Sequence, residues 1–297
     1  MIEIKTCFIC SNTSFATYLS CKDYTVSHET FQLIKCTNCG LILTSPRPEI
    51  KNLGDYYISS DYISHTNKAR SIIDSLYLLA RSYTLKWKLN IIKENSESKE
   101  QLSVLDYGCG TGHFLKACYE ESWKVAGIEP SDQARENSDP KIRSLIYSSM
   151  ELLQQSSFDA ITLWHVLEHV PEPIEVLQTL ATKLKINGTL FIAIPNPNSW
   201  DASFYKEYWA GYDVPRHLWH FSQSNIAMIA KLISLQIVET IPMKLDAYYV
   251  SLLSEKYKHP TKKINNLVSG FIKGLTSNQK ASKTHESSSL IYILKKT

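Results

Sequence analysis

Two pairs of cysteines near the start of the chain have the spacing of metal ligands. Each pair has two residues between its members, and 25 residues separate the pairs. Two thiolates in such a pair reach one ion at about 2.3 Å, and two pairs complete a tetrahedral shell of sulfur. Because cysteine fills all four positions, we expect a structural zinc ion; disulfides are the alternative, which a reducing compartment disfavours. The predicted ligands are Cys7, Cys10, Cys36 and Cys39.

A second group of residues fits a cofactor of the nucleoside type. The apolar run 104–107 predicts a strand, three glycines follow in the pattern G-x-G-x-G, and 114–121 predicts a helix. Glycines let the backbone approach a ligand closely while free N–H groups at the helix N-terminus face it. Glu129 ends the next apolar run, where an acid accepts hydrogen bonds from both ribose hydroxyls. The glycines are Gly108, Gly110 and Gly112.

Histidines form the third group. The order His165-x-x-Glu168-His169 has the spacing of a zinc motif, but it ends a strand-like apolar run, whereas the zinc motif lies on a helix. Farther along, 209–222 contains aromatic side chains and two more histidines, His217 and His220. Histidine titrates near neutral pH and is the usual general base. The alternative is that these two histidines cap the next helix, for which Ser222 is a natural N-cap.

These groups require a scaffold that brings them together. From residue 101 onward, short apolar runs alternate with helical segments, which is typical of an α/β fold with a mainly parallel sheet. Because ligands bind at the carboxyl ends of such strands, we expect the glycines, Glu129 and 209–222 at one edge. Further strands are predicted near 124–128, 145–147, within 158–170 and at 189–194, with a helix at 174–184 and a turn at Asn187-Gly188.

Three domains are predicted along the chain. Residues 1–48 form the zinc ribbon, 49–100 hold an aromatic stretch, a helix and a linker, and 101–297 form the large domain. The aromatic stretch is 56–62, and apolar residues recur at steps of three and four over 70–93, which predicts an amphipathic helix. The polar segment 95–100 is typical of a solvated linker.

The segments 104–112, 129–131 and 158–171 resemble the motifs of class I S-adenosylmethionine-dependent methyltransferases in order and spacing. The cysteine pairs together with 39–48 resemble a bacterial subgroup in which a zinc ribbon precedes this domain. The resemblance implies an α/β, Rossmann-like fold: a seven-stranded, mainly parallel sheet with helices on both faces, preceded by a small zinc ribbon and a helical segment. The last strand in this fold is antiparallel, and 289–294 is placed to supply it.

The resemblance also implies S-adenosylmethionine as the cofactor and assigns roles to residues. The methionine moiety would lie against the glycines and Asp106, and the ribose against Glu129. The adenine would lie near Ser149 and Met150, and the sulfonium between Trp164 and His165. The segment 209–222 resembles the H-E-H-x-x-Y-F segment of sugar C-methyltransferases, with arginine where they have glutamate. The catalytic candidates are therefore His217, His220 and His165.

We expect methyl transfer to oxygen or carbon of a small-molecule or glycan acceptor, with a histidine base. The alternative is a ribosomal or transfer RNA methyltransferase that contacts RNA through the ribbon. A net charge of +3, with four basic and three acidic residues in 1–48, gives that alternative little support. A cofactor-binding protein without catalysis is a third class, which the intact glycines and Glu129 disfavour.

The basic C-terminal part of the chain contains another candidate surface. Residues 242–297 hold ten basic and three acidic residues, and 262–275 predicts a helix with an apolar face. This helix either lies on an anionic membrane surface or covers the sheet with its apolar face while its lysines remain solvated. No apolar stretch has the roughly 20 residues that a spanning helix needs, and no export signal is visible, so a cytoplasmic setting is expected.

Overall fold

The computed structural model describes residues 1–57, 72–97, 101–153, 155 and 157–296, with side chains for all of these except 72–81 and 263. The strands are β1 (Phe15–Lys22), β2 (Thr30–Cys36), β3 (Ile42–Thr44), β4 (Ser103–Tyr107), β5 (Lys124–Ile128), β6 (Ile146–Tyr147), β7 (Phe158–Trp164), β8 (Leu184–Pro195), β9 (Trp219–His220), β10 (Leu235–Pro242) and β11 (Ser289–Lys296).

The helices are α1 (Ile72–Asn95), α2 (His113–Glu120), α3 (Asp132–Glu136), α4 (Pro173–Thr182), α5 (Trp200–Tyr205), α6 (Gln223–Leu232), α7 (Lys244–Lys258) and α8 (Lys263–Thr284). Short 3-10 turns lie at Ile50–Tyr57, Arg143–Leu145, Met150–Leu152, Leu167–His169, Lys206–Tyr208 and Ala210–Tyr212. In the described part of the chain, no helix is both long enough and apolar enough to cross a bilayer.

A seven-stranded sheet carries the large domain. Its order is β10-β11-β8-β7-β4-β5-β6, with parallel pairing from β8 through β6 and antiparallel pairing of β11 with both of its neighbours. Neighbouring residues of β4 belong to different apolar cores, because Leu105 packs on one face and Val104 on the other. Such near-continuous apolar strands are typical of a parallel sheet covered on both faces. The predicted fold class and the antiparallel last strand are confirmed.

Several element boundaries differ from the sequence-based prediction. The turn expected at Asn187-Gly188 lies inside β8, where the register against β7 shifts between Phe158 and Ala160. The strand is therefore longer than predicted and has an irregularity in place of a turn. In α1, Tyr83, which fits the apolar steps of three and four, is exposed, whereas Leu89 and Ile92 are buried. Residues 58–71 and 98–100, which include most of the predicted aromatic stretch and half of the linker, lie outside the described residues.

The N-terminal ribbon forms a second sheet, which a strand of the large domain completes. Its order is β1-β2-β3-β9, so a strand from the segment after β8 pairs with the ribbon. The pairing places Ile42 opposite His220 and Leu43 opposite Trp219. The Thr44 hydroxyl also donates to the His217 carbonyl at 2.8 Å. The ribbon therefore fixes the backbone of the histidine segment directly, although the two are more than 170 residues apart.

A buried arginine strengthens the same junction. Arg216 donates to Asp23 of the ribbon at 3.0 Å, to Asp213 at 2.6 Å and to the Tyr56 carbonyl at 2.9 Å. Burial by itself raises the pKa of Asp23, but Arg216 and the backbone N–H groups of Ser27 and Thr25 hold that pKa well below its usual range. Arg216 and Asp23 are 3% and 1% exposed, so solvent barely screens the pair.

The C-terminal helix does not cover the sheet with its apolar residues. Six of them, listed here, are exposed: Ile264, Leu267, Val268, Phe271, Ile272 and Leu275. Helix α8 packs instead against α7 and α5. The interpretation in which the apolar face covers the sheet is therefore wrong.

We predict that Arg216→Met lowers the free energy of unfolding by about 3–5 kcal/mol, because the buried Asp23 and the partly buried Asp213 lose their cation. Denaturant unfolding at neutral pH measures this loss. Arg143→Met, at an exposed position, is the matched control. The pKa of Asp23 is lowered in the folded state, so the contribution of the pair is complete above the unfolded pKa and disappears as the pH falls. The difference between wild type and Arg216→Met should shrink in acid; equal stability at neutral pH contradicts the prediction.

Candidate functional site

The glycine loop after β4 contains two kinds of glycine. Gly108, Gly110 and Gly112 all have positive φ, between 55° and 73°. A Cβ on Gly108 would meet Val166 at 2.7 Å, and one on Gly112 would meet Ile142 at 2.5 Å. A Cβ on Gly110 would meet nothing within 4 Å. Gly108 and Gly112 therefore permit close packing of the loop, whereas Gly110 borders open space at the start of α2.

Glu129, at the end of β5, is held in place by this loop. Its two oxygens accept from the backbone N–H groups of Gly110 and Ser131, each at 2.9 Å. Ser131 also caps α3, because its side chain accepts from Ala134. Each carboxylate oxygen keeps a further lone pair, so Glu129 remains able to accept from a pair of neighbouring hydroxyls.

Charged groups of both signs lie near the end of β4. Asp106 is buried and accepts from the Thr162 hydroxyl at 2.7 Å. Burial raises the pKa of Asp106 to about 7, against the effects of Thr162 and the Lys88 ammonium. Burial lowers the pKa of Lys88 to about 8, although Asp246 and Asp106 oppose that change. Lys88 extends from α1, and its Nζ lies 4.1 Å from the centre of the Trp164 ring.

The remaining predicted cofactor residues lie at the same edge of the sheet. Trp164 ends β7, and its indole packs edge-on against Phe114 of α2 at 5.3 Å. Its Nε1 is buried without a hydrogen-bond partner in the described structure. Ser149 and Met150 are half-buried at the 3-10 turn that follows β6.

His165 connects two acidic groups. It has φ of 57°, an uncommon value for a residue with a side chain. Its Nε2 lies 3.0 Å from Asp246 of α7, and its Nδ1 lies 3.5 Å from Glu168. Burial by itself lowers the pKa of His165, but the two carboxylates outweigh it and raise the pKa to about 9. At neutral pH this imidazole is protonated, so it cannot accept a further proton.

Glu168 is the buried acid of the next turn. It is 1% exposed, and within the described part of the chain neither of its oxygens has a hydrogen-bond partner. Its Oε1 lies 3.5 Å from His165 Nδ1 and 3.9 Å from His217 Nε2. Burial raises the pKa of Glu168, but His165 and the neighbouring histidines bring it below its usual value. The charge of Glu168 is thus balanced by the protonated His165, while its oxygens can still accept a hydrogen bond.

Glu168 and His217 border a small cavity at the carboxyl ends of β7 and β8. In the present side-chain conformations about 190 Å³ lies between the lining atoms, but none of it admits a water molecule. Its wall is largely aromatic and apolar. The lining residues are Glu168, Pro195, Pro197, Trp209, Gly211, His217, Trp219, His220 and Phe221.

Backbone carbonyls orient two histidines at this cavity. His217 Nδ1 lies 2.9 Å from the Gly211 carbonyl, and His169 Nδ1 lies 3.1 Å from the Arg216 carbonyl. Because a carbonyl only accepts, Nδ1 of His217 carries the proton, and its Nε2 keeps a lone pair. The Nδ1 of His169 lies 3.0 Å from the Tyr57 hydroxyl as well, which can donate to it or accept from it. Ligand-type atoms of Glu168, His169 and His217 lie within 4.8 Å of one another, a spacing that also suits a metal ion.

His220 has a different environment. Its Nε2 lies 3.3 Å from the Thr44 hydroxyl, which already donates its proton to the His217 carbonyl. The Nε2–H of His220 therefore donates to Thr44, and burial together with the nearby His217 keeps its pKa well below the usual value. His220 joins the ribbon to the cavity wall.

The histidines do not cap α6. The Ser222 side chain accepts from the Asn225 N–H, and the Asn225 side chain accepts from Ser222 in return. This confirms Ser222 as the N-cap, and the alternative in which His217 and His220 cap the helix is wrong. The Asn225 amide also donates to the Cys39 carbonyl at 2.9 Å, a further contact between the ribbon and the large domain.

The four paired cysteines converge in the ribbon. Their sulfur atoms lie within 4.8 Å of one another, with 3.4 Å between Cys7 and Cys39 and 3.6 Å between Cys10 and Cys36. Sulfurs around one zinc ion at about 2.3 Å stand nearly 4 Å apart, whereas a disulfide needs about 2 Å. Gly40, with φ of 74°, supplies the tight turn after the second pair. The cluster therefore fits a tetrahedral metal site.

Two residues of the site could not be found from the sequence motifs. Lys88 lies on α1, ahead of the glycine loop, and Asp246 lies on α7, far behind it. Neither has a neighbouring motif in the sequence, so no local signal identifies them. Only the fold brings both of them to Trp164 and His165.

Comparison with known proteins identifies the family. Residues 79–240 match the model of a methyltransferase domain. A ubiquinone biosynthesis O-methyltransferase of Histophilus somni is 31% identical over 122 residues, which cover 37% of this chain and 51% of that protein. A tRNA U34 carboxymethyltransferase of Pseudoalteromonas atlantica is 32% identical over 115 residues, 36% of each chain. This chain thus spans about half or less of the length of these relatives.

A solved structure agrees on the fold. A mycolic acid cyclopropane synthase, CmaA1, complexed with SAH and CTAB, has a TM-score of 0.52 and 13% identity, covering 84% of this chain and 99% of that one. At this identity the similarity establishes the fold alone. Because the family model covers more than half of the sequence, the chain belongs to the S-adenosylmethionine-dependent methyltransferases of the methyltransferase-domain family.

Proposed function

We propose that this enzyme methylates oxygen or an acidic carbon of a small-molecule or glycan acceptor, with His217 as the general base. The observation that carries the proposal is the pairing of His217, which has a free Nε2, with Glu168, whose oxygens have no hydrogen-bond partner in the described structure, at one cavity. A hydroxyl of the acceptor can donate to this pair. Glu168 would also stabilise the imidazolium that forms when His217 takes the proton.

The residues at the sheet edge fit S-adenosylmethionine. The open space beside Gly110 suits close approach of the backbone, and the fixed carboxylate of Glu129 suits two ribose hydroxyls. Asp106 and Lys88 offer opposite charges to the ammonium and carboxylate of the methionine moiety. When bound, the cofactor supplies an electrophilic methyl group on its sulfonium. The protein then has to orient the acceptor, exclude water and remove one proton.

Among the three candidate histidines, the environment favours His217 as the base. His165 is already protonated between its two carboxylates, so its role is to position Glu168 and Asp246. His220 donates to Thr44 within the ribbon junction. The Nε2 of His217 alone among these three faces Glu168 without a strong bond of its own.

The junction argues for a small acceptor rather than RNA. The outer strand β3 of the ribbon is used for pairing with β9, so that edge is not open to nucleic acid. The cavity beside His217 is also enclosed by apolar rings. Purified protein should show the absorbance ratio of a protein without bound nucleic acid, and no salt-dependent RNA shift; a specific shift would support the RNA alternative.

We predict one zinc ion per chain at the cysteine cluster. Metal analysis of Cys39→Ser should give well under one equivalent, because one of four thiolates is lost. Cys21→Ser, which removes another buried thiol of the ribbon, should retain the full equivalent. Wild-type protein without zinc, or with four thiols that react quickly before any chelator is added, would contradict the assignment.

Substitutions in the glycine loop and at Glu129 should distinguish effects on cofactor binding from effects on folding. Glu129→Ala should weaken S-adenosylmethionine binding by about 2 kcal/mol through loss of charge-assisted hydrogen bonds. Gly110→Ala should still fold, because its Cβ meets nothing and its positive φ costs only about 1–2 kcal/mol, yet it should lose most of the binding. Gly108→Ala should instead destabilise the fold, because its Cβ meets Val166 at 2.7 Å. Calorimetry and thermal melting test these outcomes, and unchanged affinity in both binding variants would refute the site.

We expect His217→Ala to keep cofactor affinity near the wild-type value while turnover falls by about 10² to 10⁴, as for loss of a general base. Ser224→Ala is the control in the same region. Turnover should survive a brief exposure to EDTA that leaves the zinc content unchanged. If EDTA abolishes turnover and a divalent ion restores it, then Glu168, His169 and His217 bind a metal and His217 is not the base.

A further inference from the structure

The hairpin of α7 and α8 is packed with its small and polar residues inside. Cβ atoms on Gly270 and Gly274 would lie 2.8 Å from Leu252 Cα and 2.7 Å from Tyr248 Cα, so the two helices approach too closely for larger side chains. Ser277 is also buried and donates to Asp201 of α5 at 2.6 Å. The residues on the inner face of α8 are therefore small or polar.

The outer face of α8 carries the aliphatic and aromatic side chains. The six residues of this outer face are 42% to 77% exposed: Ile264, Leu267, Val268, Phe271, Ile272 and Leu275. They recur at steps of three and four, so they form one continuous stripe. An amphipathic helix normally buries its apolar stripe, and such a contiguous exposed patch marks a surface that binds something. The described residues of this chain leave it uncovered.

The charges around the stripe have one sign. Residues 256–285 contain seven lysines and no aspartate or glutamate. Those whose side chains are described as exposed are Lys256, Lys258, Lys262, Lys280 and Lys283. These lysines form a rim around the stripe. In a dimer formed through this face, the two lysine rims would meet, and their repulsion disfavours self-association. RNA matches the charge but not a stripe that consists mostly of aliphatic groups.

We propose that the outer face of α8 binds the surface of a membrane rich in anionic lipid. The apolar stripe would enter the boundary between headgroups and acyl chains, and the lysines would contact the headgroups. Each lysine near such a surface contributes roughly fivefold to partitioning. A bilayer surface is the partner that satisfies the apolar stripe and the lysine rim together.

The same hairpin begins at the active site. Asp246, in the first turn of α7, has a carboxylate oxygen 3.0 Å from His165 Nε2. Two residues later, the ring of Tyr248 stacks on that of Phe271 on the outer face of α8, with 5.1 Å between the ring centres. Membrane binding would therefore bring the site close to the lipid headgroups. Taken with the proposed function, on which this step rests, it points to an acceptor carried on a lipid. Binding itself is measured without any acceptor, so its failure is distinct from failure of the proposed chemistry.

Co-sedimentation of the full chain with vesicles tests the proposal. Vesicles of phosphatidylglycerol mixed with phosphatidylcholine should bind the protein at low salt, with affinity at least about tenfold lower at high salt. Vesicles of phosphatidylcholine alone should bind it weakly. Val268→Glu and Ile272→Glu should each lose binding, because a charge replaces an exposed apolar group.

Ile186→Glu is the matched control, since Ile186 is 86% exposed on β8, away from the hairpin, and it should bind as wild type. Thermal melting should show that all three variants are folded. No sedimentation with anionic vesicles at low salt overturns the proposal. It is also overturned if the protein forms dimers that Val268→Glu dissociates while vesicles do not bind, or if it binds RNA and not vesicles.

Discussion

The placement of the proposed acceptor site depends on one junction, where the ribbon and the segment after β8 share a sheet and a buried ion pair. Strand β9 has two residues and could not persist alone; β3 gives it a partner, and Arg216 is held by Asp23 and Asp213. His217 lies between these two fixed points. The segment is long and irregular, so without the junction its backbone would lack the order that a positioned base requires. The ribbon is thus a structural support of the segment that carries the proposed base.

The junction also gives a physical reason for arginine at position 216. Sugar C-methyltransferases, which the segment resembles, have glutamate there, and a glutamate would stand against Asp23 and Asp213 in a buried setting. The buried Asp23 and the partly buried Asp213 require a cation, and the guanidinium provides several donors in a fixed plane. The acid of the site comes instead from Glu168, on a different strand end. In this chain the carboxylate beside His217 is therefore supplied by Glu168, from the 3-10 turn after β7.

Opposite charges alternate along the carboxyl edge of the large sheet. Asp106, Glu129, Glu168 and Asp246 face the edge, with Lys88 and His165 between them. Burial disfavours an isolated charge, so Asp106, Glu168 and Asp246 have Lys88 or His165 nearby. Backbone N–H groups hold Glu129 instead. Strain is present as well, since His165 has a left-handed backbone between the two acids. Such preorganisation is expected where charge moves during the reaction.

The sequence alone determined the features that depend on neighbours in the chain. The cysteine spacing, the glycine loop after β4, the acid after β5 and the N-cap at Ser222 are local, because each needs only a turn or a strand end and the residue types that allow it. The tertiary structure decided everything that joins distant segments: the pairing of β9 with the ribbon, the contact of Arg216 with Asp23, and the approach of Lys88 and Asp246 to the site. It also decided which face of α8 is buried. Periodicity shows that a helix has two different faces, but only the close packing of Gly270 and Gly274 on α7 determines that the apolar face points outward.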